Sequence, residues 1–332
     1  MEPLHIDEQY TPNILPPINT ETNVSDMINE IEISEKEIDI GAHFFVTFID
    51  GSSFKNIIEY LRGFSIIGVF IFRKDKILYQ KGNSDNTILN EVEIKTYELT
   101  DYEFYSDKEE IIVSVDLIKL KDRIKGVGKK DHVDIYRLEG EPQHLYIKVR
   151  SQSEQDGEPF ISLIPCETTD LTIYNIPPYT IHKKSPTCTI YQSDFAKFCK
   201  SVITIKSKHV TAHGFKNGVI FKGISNLNTL DGVKEFGKCR MNTAPERPKS
   251  FFGINADFSS NIVKSKAPPP VLNIREIGEI ENFKIPIPIV KQLTKLNGLS
   301  PNGTIKVYIE KSRSMKLICN IGTFGKLTVY LP

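Results

Sequence analysis

The chain has 332 residues, 39% of them hydrophobic, with 42 Lys and Arg against 42 Asp and Glu. That length suffices for two compact domains, and no run approaches the roughly 18–20 apolar residues that a membrane-spanning helix needs. The zero balance hides a division: residues 1–40 carry ten acids and one lysine, net −9, so the other 292 residues carry 41 basic and 32 acidic side chains, net +9.

In chain order, residues 1–41 are acidic, hold Pro3, Pro12, Pro16 and Pro17 and have almost no aromatics. That composition predicts a disordered extension, and its start has no apolar signal core. A first domain is expected over 42–167. Phe54, Ile57, Ile58 and Leu61 fall at helical spacing and predict a helix over 53–62. Residues 67–72 and 77–79 read as strands around the turn Arg73-Lys74-Asp75-Lys76. A second helix is predicted over 115–127, with Leu117, Leu120 and Ile124 inward, and a hairpin over 132–149. Within it, Leu145, Ile147 and Val149 alternate with Tyr146, Lys148 and Arg150, as in a half-buried strand. Pro177-Pro178 marks 168–185 as an extended connector.

A second domain is expected over 186–332. Phe195, Phe198 and Val202 predict a helix over 194–202, followed by strands at 208–214 and 218–223. Residues 239–270, with Pro245, Pro248 and Pro268-Pro269-Pro270, read as an irregular insertion. Ile289, Leu293 and Leu296 predict a helix over 287–299. Asn302-Gly303 then marks a turn, and a hairpin follows over 303–321. The second half thus repeats the first, helix and hairpin for helix and hairpin.

Catalytic motifs are missing: there is no Walker loop, G-x-G-x-x-G, H-E-x-x-H or G-x-S-x-G. His209 and His213 share a strand face without a Cys/His pair beside them, so they read as plain strand residues rather than a metal site. Cys166, Cys188, Cys199, Cys239 and Cys319 are odd in number and form no C-x-x-C pair, which predicts idle thiols in a reducing compartment. No enzyme, metal or cofactor is expected. The basic residues are more informative. Lys55 and Arg62, then Lys119, Lys121 and Lys125, then Lys197 and Lys200, then Lys291 and Lys295 lie off the apolar stripes of the four helices. Solvated charged faces are common on helices, but recurrence on all four with few acids points to a polyanionic partner.

Three segments carry a resemblance. Phe54-Lys55-Asn56-Ile57-Ile58-Glu59-Tyr60-Leu61-Arg62, Ser193-Asp194-Phe195-Ala196-Lys197-Phe198-Cys199-Lys200 with Lys216-Asn217-Gly218-Val219-Ile220-Phe221, and Gly325-Lys326-Leu327-Thr328-Val329-Tyr330-Leu331-Pro332 resemble, in order and spacing, the proliferating cell nuclear antigen family of DNA sliding clamps. The departures suggest a divergent member, a viral one among the readings. The resemblance implies an α+β clamp fold of two similar domains, each with two helices on antiparallel sheets, assembling into a ring. It implies a non-enzymatic processivity factor that encircles duplex DNA without regard to sequence. Its partners would be a DNA polymerase, a clamp loader, other peptide-motif-bearing replication and repair proteins and itself as a homotrimer, with no membrane. The location implied is the nucleus, or a cytoplasmic viral replication site.

On that resemblance the nine basic residues would line the bore. Phe160, Ile161, Leu163 and Ile164 on the strand at 159–165, and Val233 and Phe236 on 231–239, would meet between subunits, although the first strand could instead be internal to its sheet. A bare apolar strand there would be an aggregation hazard. Asn86, Thr87, Leu89, Tyr174, Ile176, Pro177, Tyr330, Leu331 and Pro332 would form a partner-peptide pocket. Gly82 stands where the family usually has a larger apolar residue. The acidic extension would serve solubility, a partner, or screening against non-specific DNA contact. A checkpoint-type hetero-ring subunit and a monomeric viral processivity factor of the same fold are the alternatives.

Overall fold

A computed structural model describes residues 41–83, 88–151, 159–168, 185–215, 217–225, 230–238, 282–300, 302–309 and 315–331. The acidic extension, most of the connector and the 239–270 insertion lie outside them.

The first half opens with β1 (Ala42–Phe48) and α1 (Gly51–Leu61). Asp50 caps α1 by accepting from the Ser53 amide at 3.0 Å and from both the Ser52 and Ser53 hydroxyls, as helix starts require. β2 (Ile67–Arg73), β3 (Lys76–Gly82), β4 (Leu89–Lys95), β5 (Asp101–Phe104) and β6 (Glu110–Asp116) follow, then α2 (Leu117–Arg123), β7 (His132–Leu138), β8 (His144–Arg150) and β9 (Phe160–Thr168).

The second half repeats this: β10 (Cys188–Tyr191), α3 (Gln192–Thr204), β11 (His209–Phe215), β12 (Asn217–Ile224), β13 (Leu230–Lys238), β14 (Asn282–Pro286), α4 (Ile287–Leu293), a 3₁₀ turn (Thr294–Gly298), β15 (Thr304–Ile309), β16 (Met315–Ile321) and β17 (Gly325–Leu331).

All strand pairs are antiparallel, and the repeat extends to strand order. β4-β3-β2-β6 in the first half corresponds to β13-β12-β11-β14 in the second, and β1-β7-β8-β9 to β10-β15-β16-β17. β5 flanks β1 and has no counterpart among the described residues of the second half. The halves are joined where β17 pairs with β4, from Gly325 opposite Ile94 to Tyr330 opposite Leu89. One sheet therefore runs through both halves.

The predicted inward stripes of all four helices are buried. In the first half Phe48 stacks on Phe54 at 4.4 Å and meets Phe324 edge-on at 5.1 Å. In the second, Phe221 is ringed by Phe195, Phe198 and Phe236 at 5.5, 5.7 and 6.0 Å. Aromatic clusters of this kind dominate core energetics.

Three expectations need correction. The second helix does not begin at 115: residues 110–116 alternate half-buried and buried as a strand, and Asp116 ends that strand and caps α2 through the Ile118 and Lys119 amides. The β-branched run Ile111, Ile112, Val113 and Val115 favours the pleat. The expected fourth helix is α-helical only to Leu293 and continues as 3₁₀. In β8 the face expected to be wet is largely covered: Tyr146 stacks on Tyr136 at 5.0 Å, and Lys148 is buried.

Candidate nucleic-acid interface and subunit edges

The four helices form one layer. α1 packs on α2 at one side and on the 3₁₀ turn at the other, and α3 packs on α4 and the same turn. Side-chain bonds to backbone tie the layer together. Lys55 Nζ donates to the carbonyls of Lys125 and Val127 at 3.0 and 2.9 Å, Lys295 Nζ to that of Glu59 at 3.1 Å, and the Asn56 amide to that of Gly298. Cations favour helix C-terminal ends, where carbonyls lack partners.

All nine basic residues of the sequence reading are described, in two groups. Arg62, Lys119, Lys125, Lys197, Lys200 and Lys291 are exposed, whereas Lys55, Lys121 and Lys295 are half-buried. Burial lowers the Lys295 pKa against the pull of Glu59, and Arg62 and Lys121 lower it further, so these three cations share one neighbourhood. Lys197 pairs with Asp194 at 3.5 Å on open surface, a contact of little energetic weight. Exposed Arg123 on α2 belongs to the same set; it sits in the charged run that the sequence reading sampled only in part.

The candidate interface strands differ from each other. β9 pairs with β8 from Phe160 to Pro165 and bends to meet β6 only at Cys166–Thr168. Its second edge from Phe160 to Pro165 therefore has no partner among the described residues. Among the described residues β13 pairs only with β12 and ends its sheet. Phe160 and Val233 are 59% and 41% exposed, unusual for side chains of their kind. Ile161 and Leu163 are half-buried. Ile164 and Phe236 instead point into the chain's own core, so at those positions an edge offers backbone rather than side chain.

Of the candidate peptide pocket, Leu89 and Tyr330 lie opposite each other across the β4–β17 joint. Burial raises the Tyr330 hydroxyl to about 12, with Glu91 and Glu93 adding to the shift. Leu331 is buried, opposite Met315 of β16. Asn86, Thr87, Tyr174, Ile176, Pro177 and Pro332 lie outside the described residues.

Among the described residues no three His, Cys, Asp or Glu side chains group as metal ligands. Burial, then Lys222, pushes His213 down to about 4, and its Nε2 lies 3.3 Å from the Thr211 hydroxyl. Cys166, Cys188, Cys199 and Cys319 are buried.

No protein-family model matches the chain, and no curated protein matches it in sequence. Among solved structures it is similar to the PCNA2–PCNA3 complex from Sulfolobus tokodaii, with a TM-score of 0.61 and 13% identity over 86% of this chain and 98% of that one. The fold is a PCNA-like clamp fold.

Proposed function

We propose that the protein is a sliding clamp, a non-enzymatic ring that holds replication proteins on duplex DNA. The observation that carries this reading is the match between one closed joint and two open edges. In the repeat, β9 corresponds to β17 and β13 to β4. β17 and β4 join the halves within the chain, while their counterparts β9 and β13 each keep an edge unpaired among the described residues. Pairing β9 of one copy with β13 of the next repeats the internal joint between chains. Such head-to-tail contacts generate rings when the rotation closes. The helix layer, with its exposed Arg62, Lys119, Lys125, Lys197, Lys200 and Lys291, would then face the enclosed duplex. Contacts from such residues to phosphate give position without sequence, which suits sliding. Polymerase and loader peptides would dock where Leu89 and Tyr330 meet.

Light scattering tests the assembly. The reading expects three times the 37.7 kDa of one chain. Leu163→Asp places a charge at the joint and should yield a folded species of one-chain mass with an unchanged far-ultraviolet spectrum. A wild-type protein that stays at one-chain mass at all concentrations would refute closure by like copies. The related solved structure is a complex of two different clamp chains, which favours a hetero-ring as the second reading. Assembly only in the presence of a different clamp chain would select it.

A further inference from the structure

At the seam between the halves, α1 and α3 begin beside one cavity of about 570 Å³. Among the described residues no carboxylate lines it, and the one charged side chain in its wall is Lys129. The start of α3 forms another wall through Tyr191, Gln192 and Ser193, and the turn at Asn302 and Gly303 a third. No side-chain hydrogen bond caps α3, unlike α1, and its one first-turn acid, Asp194, pairs with Lys197 on open surface, so the amide end of a 13-residue helix borders the cavity.

Gln192 is the informative residue. It is 2% exposed, yet neither its Nε2 nor its Oε1 has a hydrogen-bond partner among the described residues. A buried amide unpaired at both ends is costly and calls for an explanation. It packs against Gly303, where any Cβ would come within 2.6 Å of it, and the Gln192 amide nitrogen of the backbone donates to the Gly303 carbonyl at 2.9 Å. Because the side chain holds no hydrogen bond, turning its carboxamide into the cavity breaks none.

The missing partners define a ligand. Nε2 needs an acceptor and Oε1 a donor, side by side. Lys129 and the α3 terminus favour one negative charge on the acceptor side. A simple oxyanion without a proton offers no donor and would fill a small part of the space, which is of ligand-pocket size. A polypeptide C-terminus offers a carboxylate and, one residue back, an amide N–H, and backbone recesses of this kind capture such termini. Tyr191, 61% exposed on the rim, supplies a flat surface for the last side chains. We propose that this cavity docks the free C-terminus of a protein partner, with Lys129 and the α3 N-terminus on the carboxylate and the Gln192 amide bridging the carboxylate and the last backbone N–H.

The test uses the full-length ¹⁵N-labelled protein and two probes, acetyl-trialanine with a free carboxylate and the same peptide as its C-terminal amide. The free acid should shift the Gln192 side-chain resonances saturably. The amide should bind roughly tenfold more weakly, the scale of one hydrogen bond to a charged group. Gln192→Leu should weaken the free acid by a similar factor, and Lys129→Gln should weaken it and flatten its salt dependence. Lys129 is exposed, so that variant keeps the test alive if Gln192→Leu fails to fold. Equal binding of acid and amide, no saturable shift, or inorganic phosphate binding as tightly as the free acid would overturn the proposal.

Discussion

α1 and α3 open the two halves with the same sequence pattern, an aromatic-led apolar stripe with lysines opposite, yet their lysines and starts differ in role. Lys55 of α1 is engaged with the carbonyls of Lys125 and Val127, while Lys197 and Lys200 of α3 stand in solvent. Asp50 closes the start of α1, while α3 starts uncapped beside a cavity. Lys55 of α1, like Lys295 beyond α4, fastens the helix layer, whereas Lys197 and Lys200 of α3 are left available to partners. A repeat in sequence thus transmits the fold faithfully and the function unequally.

The comparison breaks most visibly in the cores beneath the two helices. Phe221→Ala should cost about 3–5 kcal/mol, because three other rings close on it and none can refill the space; urea denaturation measures it. A loss under 1 kcal/mol would mean that the second half is loosely packed. At the helix starts, Asp50→Ala should cost about 1–2 kcal/mol, since one carboxylate satisfies an amide and two hydroxyls. Tyr191→Ala has no cap to remove, and in the same denaturation assay it should cost less than Asp50→Ala.

A smaller effect separates β11 from its counterpart β2, which has no histidine. The folded pKa of His213, about 4, lies below the ordinary histidine value of 6.5 taken for the unfolded chain, so the unfolded chain binds more protons between these values. Stability from this group is therefore intact above pH 6.5 and falls as pH drops toward 4. The loss should be on the order of 1 kcal/mol once screening of a half-buried ring is allowed for. His213→Gln should remove that part of the difference between denaturation at pH 7 and pH 5.

The lysines sharpen the comparison last. Lys55→Ala should cost about 1 kcal/mol through its two lost carbonyl bonds, and Lys197→Ala within about 0.5 kcal/mol. For DNA the order reverses: Lys197→Ala with Lys200→Ala should lower the salt slope of binding by about 1.8, near 0.9 per phosphate contact. Titration of a duplex at several salt concentrations reads this directly, and an unchanged slope would remove α3 from the interface.

Much of the fold was legible because its signals are periodic. Phe54, Ile57, Ile58 and Leu61 announce α1, and the turn at Arg73–Lys76 separates β2 from β3. The strand ending at Asp116 was misread because Val115 and Leu117 fit either period, and only the cap decides between them. The basic helix faces were legible as charge but not as use. Nothing in the spacing of Lys55 or Lys295 says that a carbonyl 70 or 236 residues away lies within reach. Gln192 gave no signal, since its meaning comes from the turn at Gly303, more than a hundred residues on. The strand order that matches β9 with β17 and β13 with β4 is a property of pairing, which a single sequence does not display.

The proposed function requires the chain to enclose duplex DNA. The direct measurement is retention on a nicked circular plasmid after incubation with excess protein, washed at high salt, before and after a single restriction cut. Enclosure predicts that salt-resistant protein stays on the circle and leaves when the DNA is linearised. Equal retention on circle and line would contradict it.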